Sequence, residues 1–194
     1  VNMLIELIVL SLIIGLIRGG TFYNFKYINF KKIWPLILAL VIQYFLVSIN
    51  LLEEFHFYEK IAMYLKQLLF ISYVLLFVGI IINLHYRSLW PVLAGAFLNF
   101  FVLAVNNWKR PVLLEGLKLL HLEDALWMME NNQLPLFSAI TEGTKYPILA
   151  DIIVVPKPYP FPTMLSLGDL LIGLGLFTLI QEIMLSGRND HHIK

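Results

Sequence analysis

Apolar residues run along this chain in long uninterrupted stretches, not in the alternation of a half-buried strand or the one-sided spacing of a surface helix. A helix needs about 20 mostly apolar residues to cross the hydrocarbon of a bilayer. Five stretches qualify: residues 3–17, 34–52, 61–84, 89–105 and 164–185. The first is short, with Glu6 and Ser11 as its polar positions. No basic residue precedes it and Arg18-Gly19-Gly20 follows it, so it reads as a retained helix and not as a cleaved leader.

The polar positions between the stretches set an orientation, because short cytoplasmic loops collect Lys and Arg. Arg18, Lys26, Lys31 and Lys32 lie between the first two stretches, and Arg87 between the third and fourth. Arg188 and Lys194 follow the fifth. Between the second and third lie Glu53, Glu54 and Glu59 against Lys60. Five spans with the N-terminus outside and the C-terminus inside place every basic segment in the cytosol. The acidic loop and the long connection 106–163 then face out. Arg18 sits at the inner interface. The aromatic, Asn- and Lys-containing stretch Thr21 to Phe30 suits a segment lying in that interface.

Composition sharpens the class. Of 194 residues, 59% are hydrophobic and only 14% are Asp, Glu, Lys or Arg, against about 25% charged in soluble domains; the mean hydropathy is +0.79. The fold class expected is an all-α integral membrane protein, one domain over 1–194, multi-pass in a bacterial plasma membrane. A net charge of +1 without a basic run gives no case for nucleic acid. The absence of cysteine removes disulfides, zinc–thiolate sites and thiol catalysis, and five scattered histidines offer no metal cluster. No cofactor or metal is expected. The partners are the lipid bilayer and, as candidates, another membrane protein or a second copy of the chain.

Two helix starts look alike. Trp34-Pro35 and Trp90-Pro91 each follow basic residues, and a lone amide, Gln43 or Asn99, comes eight residues after each Pro. Two independent helix starts explain this, with Pro at the first helical position. A duplicated hairpin, spans 1–2 and 3–4, is the alternative.

The outer connection is partly helical and then Pro-rich. Leu113, Leu117, Leu120, Trp127 and Met128 would share a helical face, but Asp124 falls within it. Burying a carboxylate there is costly, so a break near Leu122 is expected, with Asp124 capping a second short helix. Lys157 to Pro162 reads as extended, polyproline-like chain. The segment is too apolar for disorder, and a packed outer lid over 106–163 is expected.

Charged groups inside spans are expensive and mark candidate sites. Glu6, Lys66 and Asp169 each sit four or five residues inside the outer end of a helix, roughly 6–8 Å below that boundary. Asn106, Asn107, Lys109, Arg110 and Asp151 can reach that layer from the connection. These eight residues are the ligand-binding candidates. Snorkelling of Lys66, pairing of Glu6 with it and helix capping by Asp169 explain the same charges structurally. Asp151 and Asp169 are also weak catalytic candidates, since paired carboxylates can share a proton and activate water. No GxSxG, HExxH or phosphate-loop motif accompanies them.

Gly15-Leu16-Ile17-Arg18-Gly19-Gly20, the basic turn Asn106 to Val112, Thr144-Lys145, Leu149 to Ile153 and Ser166 to Ile172 form an ordered set spanning nearly the whole chain. In that order they resemble a bacterial membrane-protein family catalogued as domain of unknown function 5317. This chain departs from the pattern in having Asn107-Trp108-Lys109-Arg110 where glycines and Met precede the Pro, and Ala150 where Gly precedes the aspartate. The resemblance implies a multi-span bacterial protein, supports weight on Arg18, Asp151 and Asp169, and implies no activity. The functional expectation is a binding or accessory membrane component with an outward-facing polar site. The alternatives are an intramembrane hydrolase or transferase using the aspartate pair, or a small transporter subunit.

Overall fold

A computed structural model describes residues 2–49, 64–131, 133–159 and 162–186. The expected span ends at 50–52 and 61–63, the acidic loop, Arg188 and Lys194 lie outside these residues. The described chain is mostly helical. Its long helices are α1 (Asn2–Ile17), α2 (Trp34–Ile49), α3 (Leu65–Ile82), α4 (Leu89–Val105) and, at the C-terminal end, α7 (Leu167–Leu185). Two of them, α3 with 18 residues and α7 with 19, are long and apolar enough to cross a membrane; α1, α2 and α4 are apolar but shorter.

Extensive contacts link α2 to α3, α4 to α7 and α7 to α1, and smaller ones join α3 to α4. The helices are therefore neighbours in the order α2, α3, α4, α7, α1. The extensive contacts thus join helices distant in sequence as well as consecutive ones. Gln43 and Asn99 are not equivalent: Gln43 donates to Ser72 Oγ at 3.5 Å, whereas Asn99 joins a buried network on α7.

Glycine explains the intimacy of α4 and α7. A Cβ on Gly168 would overlap the Asn99 side chain and come within 2.7 Å of the Gly95 carbonyl oxygen. One on Gly175 would lie 2.9 Å from the Ser88 carbonyl oxygen. Small residues let helix backbones approach in this way. Gly95, Gly168, Gly173 and Gly175 are buried. These glycines therefore serve internal packing. Gly168→Ala should cost about 1–3 kcal/mol by overpacking, read as a lowered midpoint in detergent-solubilised thermal unfolding; an unchanged midpoint would contradict this packing.

Three asparagines stitch connections to helix ends. Asn24, in the 3-10 turn Phe22–Tyr27, donates to the Met184 carbonyl at 2.6 Å. Asn83 takes the Lys31 N–H at 2.7 Å and donates to the Lys31 and Gly79 carbonyls. Asn106 donates to Val102 and Lys145 and accepts from the Lys145 N–H at 2.9 Å. The fully buried Asn83 amide thus uses both its oxygen and its nitrogen, as burial requires.

The connection after α4 is a small folded layer. It contains β1 (Arg110–Val112), α5 (Leu114–Leu119), α6 (Glu123–Glu130), β2 (Phe137–Ala139), β3 (Ile153–Val155) and β4 (Thr163–Leu165). β1 pairs in parallel with β2, and β3 with β4 antiparallel. Val112, Leu117 and Met129 form its core, flanked by Leu126, Leu134, Phe137 and Met164. The helix does break where expected, but Leu122 is the N-cap and makes no side-chain cap; Asp124 lies exposed in the first turn of α6. There it can complement only the helix dipole. Residues 157–159 form a turn closed by the Tyr159 N–H to the Pro156 carbonyl at 3.2 Å, not an extended strip; Pro160 and Phe161 lie outside the described residues. α7 starts at Leu167, three residues later than expected, because Thr163–Leu165 pairs as a strand and Ser166 caps the helix.

Candidate functional site

Arg110 opens β1, and the strand pairing holds its surroundings. Its N–H donates to the Leu136 carbonyl at 2.7 Å. An isolated parallel bridge pairs Val112 with Asp151. The Asp151 N–H donates to the Pro111 carbonyl at 3.1 Å and the Leu113 N–H to the Asp151 carbonyl at 3.2 Å. This backbone pairing sets Asp151 beside Arg110, 3.6 Å from guanidinium Nε to Oδ2. Arg110 Nη2 reaches Asp169 Oδ1 on α7 at 3.3 Å.

Asp169 is held from below as well. It occupies the third position of a capping box: its N–H donates to Ser166 Oγ at 3.0 Å, and the Ser166 N–H donates to its Oδ2 at 3.0 Å. Asn99 Nδ2 donates to Asp169 Oδ1 at 2.8 Å, and Ser166 Oγ donates to Asn99 Oδ1 at 2.8 Å. The capping role and the polar-cluster role are therefore both filled by Asp169. Sequence spacing does not select between them because the same carboxylate faces its own helix end and the lid.

The cluster is mostly out of water, with side-chain exposures of 28% for Arg110, 9% for Asp151 and 21% for Asp169. Burial would lower the Arg110 pKa, but the two carboxylates outweigh it and keep the guanidinium charged. For Asp151, burial pushes the carboxyl up; Arg110 pulls it back and Asp169 adds to the rise, leaving it at about 6. Asp151 Oδ1 is buried and has no hydrogen-bond partner among the described residues. One guanidinium and two carboxylates carry a formal charge of −1 when all are ionised. The cluster therefore suits a hydrogen-bond donor or a cation, not an anion.

The other candidates are dispersed. Glu6 accepts from the Tyr159 hydroxyl and so ties α1 to the turn between β3 and β4; its Oε1 is buried without a partner among the described residues. Lys66 is exposed and lines an open groove of about 440 Å³ with Gln67, Phe70, Ile71 and Trp108. No ion pair joins Glu6, Lys66 and Asp169 among the described residues. Asn106 is consumed in stapling Lys145. Asn107 is exposed, and Lys109 is half-buried. Arg18 lies at the other end of the bundle, donating to Gln181 Oε1 at 3.0 Å.

Asn107 and Trp108 have positive φ, 57° and 64°, a conformation that costs L-residues roughly 1–2 kcal/mol and asparagine less. Trp108 stays because its ring packs on Phe70 and Phe100 at 5.8 and 5.7 Å. Asn107→Gly should therefore be tolerated or raise stability by less than about 1 kcal/mol, checked by thermal unfolding; a clear loss would mean that the Asn107 side chain has a role of its own.

Sequence reasoning missed Asn99, Ser166 and Tyr73 as members of this site. Tyr73 is buried on α3 within electrostatic reach of Arg110. The signals were present for two of them: a lone amide in an apolar run, and a serine three residues before an aspartate.

A chain similar over most of its length is known: an uncharacterized protein of Thermotoga maritima, 27% identical over 175 residues, covering 90% of this chain and 88% of the relative. No solved structure matches this chain. The model of a family of unknown function, DUF5317, matches residues 27–181 and so takes in the Arg110, Asp151 and Asp169 cluster. The chain belongs to that family of unknown function, DUF5317.

Proposed function

We propose that this chain is a five-span protein of the bacterial plasma membrane, N-terminus out, whose outer lid covers a small polar binding site formed by Arg110, Asp151 and Asp169. The membrane reading is supported by apolar side chains left on the outside of the long helices. Ile8, Leu10 and Ile13 on α1, Leu38, Leu40 and Val41 on α2, and Ile71 and Val78 on α3 are all exposed. A water-soluble monomer rarely leaves such continuous apolar area uncovered. Helices of 16–19 residues reach about 24–29 Å, close to the thickness of the hydrocarbon core. Trp34 and Trp90 lie exposed at the two helix starts that follow basic residues, as interfacial anchors do.

The binding reading is carried by one observation: Arg110, in the connection, is ion-paired with a carboxylate of the connection and one of the bundle, and the former keeps a buried oxygen without a partner among the described residues. An unpaired buried acceptor costs about 1–3 kcal/mol, which a donor ligand would relieve. Small amines such as ethanolamine or spermidine should raise the thermal midpoint of the detergent-solubilised protein. Asp151→Asn should remove that rise while helical circular dichroism is kept. A rise that is equal in the variant would refute the site. The aspartate-pair hydrolase is less well supported, because each carboxylate is engaged by the same guanidinium instead of sharing a proton with the other.

A further inference from the structure

At the end of the bundle away from the lid, α1 and α7 leave an open groove of about 510 Å³, lined by Arg18, Phe177, Thr178, Gln181, Glu182, Leu185 and Ser186. This size falls in the range of small-molecule sites. Its cation is positioned, not free to wander. Arg18 donates to Gln181 Oε1 at 3.0 Å, and the Gln181 amide donates to the Ser11 carbonyl at 2.6 Å. In the same lining, the Glu182 carboxylate accepts from the Ser88 hydroxyl and remains exposed. Thr178 and Ser186 send their hydroxyl protons to the Leu174 and Ile183 carbonyls at 2.9 and 2.8 Å. Their oxygens therefore remain as acceptors. The groove thus presents a guanidinium and an exposed carboxylate, with hydroxyl acceptors at Thr178 and Ser186 one helical turn before and one after Glu182, beside the apolar Phe177 and Leu185.

We propose that this groove holds the headgroup of a phospholipid bearing both a phosphate and a primary ammonium, the phosphate on Arg18 and the ammonium on Glu182. The proposal rests on the membrane reading, which places this end of the bundle at the inner leaflet. Guanidinium and phosphate match in planar, charge-assisted hydrogen bonding. A primary ammonium has three N–H donors to offer the carboxylate and a neighbouring hydroxyl oxygen; a quaternary ammonium has none. The site thus discriminates headgroups by donor count as well as by charge.

The test is lipid retention by the full chain, extracted from membranes and exchanged into micelles containing phosphatidylethanolamine, phosphatidylcholine and phosphatidylglycerol in equal amounts, then read by native mass spectrometry. Phosphatidylethanolamine should be retained about tenfold over either competitor, a difference near 1.4 kcal/mol. Arg18→Gln should lower retention of all three. Glu182→Gln, which can still accept from Ser88, should erase the preference for phosphatidylethanolamine over phosphatidylcholine while total retention persists. Equal retention of the three lipids, or an unchanged ranking in Glu182→Gln, overturns the proposal and leaves the membrane reading standing. Recovery of the chain in the soluble fraction overturns both.

Discussion

Replacing Arg110 by methionine is expected to lower stability by about 2–4 kcal/mol. Breaking a buried ion pair from one side leaves its partner's charge uncompensated, at about 3–5 kcal/mol when fully buried. Partial exposure of Arg110 and Asp169 reduces the figure here. The loss falls on the lid first, since Arg110 belongs to β1 and Asp169 to α7. Limited proteolysis within 106–163 should therefore accelerate more than cleavage elsewhere. Arg110→Lys should recover little, because a point charge cannot engage both carboxylates through two nitrogens as the planar group does. In an Asp151→Asn background the cost of Arg110→Met should shrink, since only one carboxylate is then left without its partner. Strictly additive losses in that double-mutant cycle would show that the two residues do not interact.

A second large effect is pH dependence set by Asp151. Burial raises its carboxyl from 3.8 to about 6, with Arg110 opposing and Asp169 reinforcing the rise. The folded chain therefore binds this proton more tightly than the unfolded chain. Below pH 4 both states are protonated and no penalty applies. As pH rises through the window from about 4 to 6 the folded state must ionise a buried group, and stability falls by about 3 kcal/mol. Above pH 6 the penalty is constant. Unfolding of detergent-solubilised protein at pH 4.5 and pH 7 should show the wild type gaining stability on acidification relative to Asp151→Asn. A difference between the two proteins that does not change with pH would contradict the burial of a titrating carboxyl at this position. A donor ligand bound at Oδ1 would lower this pKa, so the amine test and the pH profile should shift together.

The long apolar runs were legible in the sequence because a segment hydrophobic all round allows few alternatives. Four of the five described long helices fall within the expected segments and α1 begins one residue earlier, and the break near Leu122 follows from the cost of burying Asp124. Neighbourhood was not legible. Local patterning cannot show that α4 packs on α7, because that contact depends on Gly95 and Gly168 meeting across 70 residues of chain. For the same reason, depth in the helix put Glu6, Lys66 and Asp169 in one layer, yet the structure gives each a different partner set. Depth is one coordinate, and the angle around the bundle is another. Arg110, Asp151 and Asp169 were each named as candidates, but their union runs through the Val112 to Asp151 bridge, a non-local pairing between short Pro-flanked segments. The same lack of local signal hid β4 ahead of α7. Asp169 was readable as a cap and as a site residue, and it is both a cap and a member of the cluster.

The proposed outward placement of residues 106–163 can be probed directly because the chain has no cysteine. Single-cysteine variants Glu142→Cys, at an exposed turn of the lid, and Tyr27→Cys, on the exposed surface of the basic segment between α1 and α2, would be treated in intact cells with a membrane-impermeant maleimide. Labelling at 142 in intact cells, and at 27 only after permeabilisation, is the expected pattern. Labelling at 27 but not at 142, or equal access to both before permeabilisation, would contradict a lid closing over the Arg110, Asp151 and Asp169 site from outside.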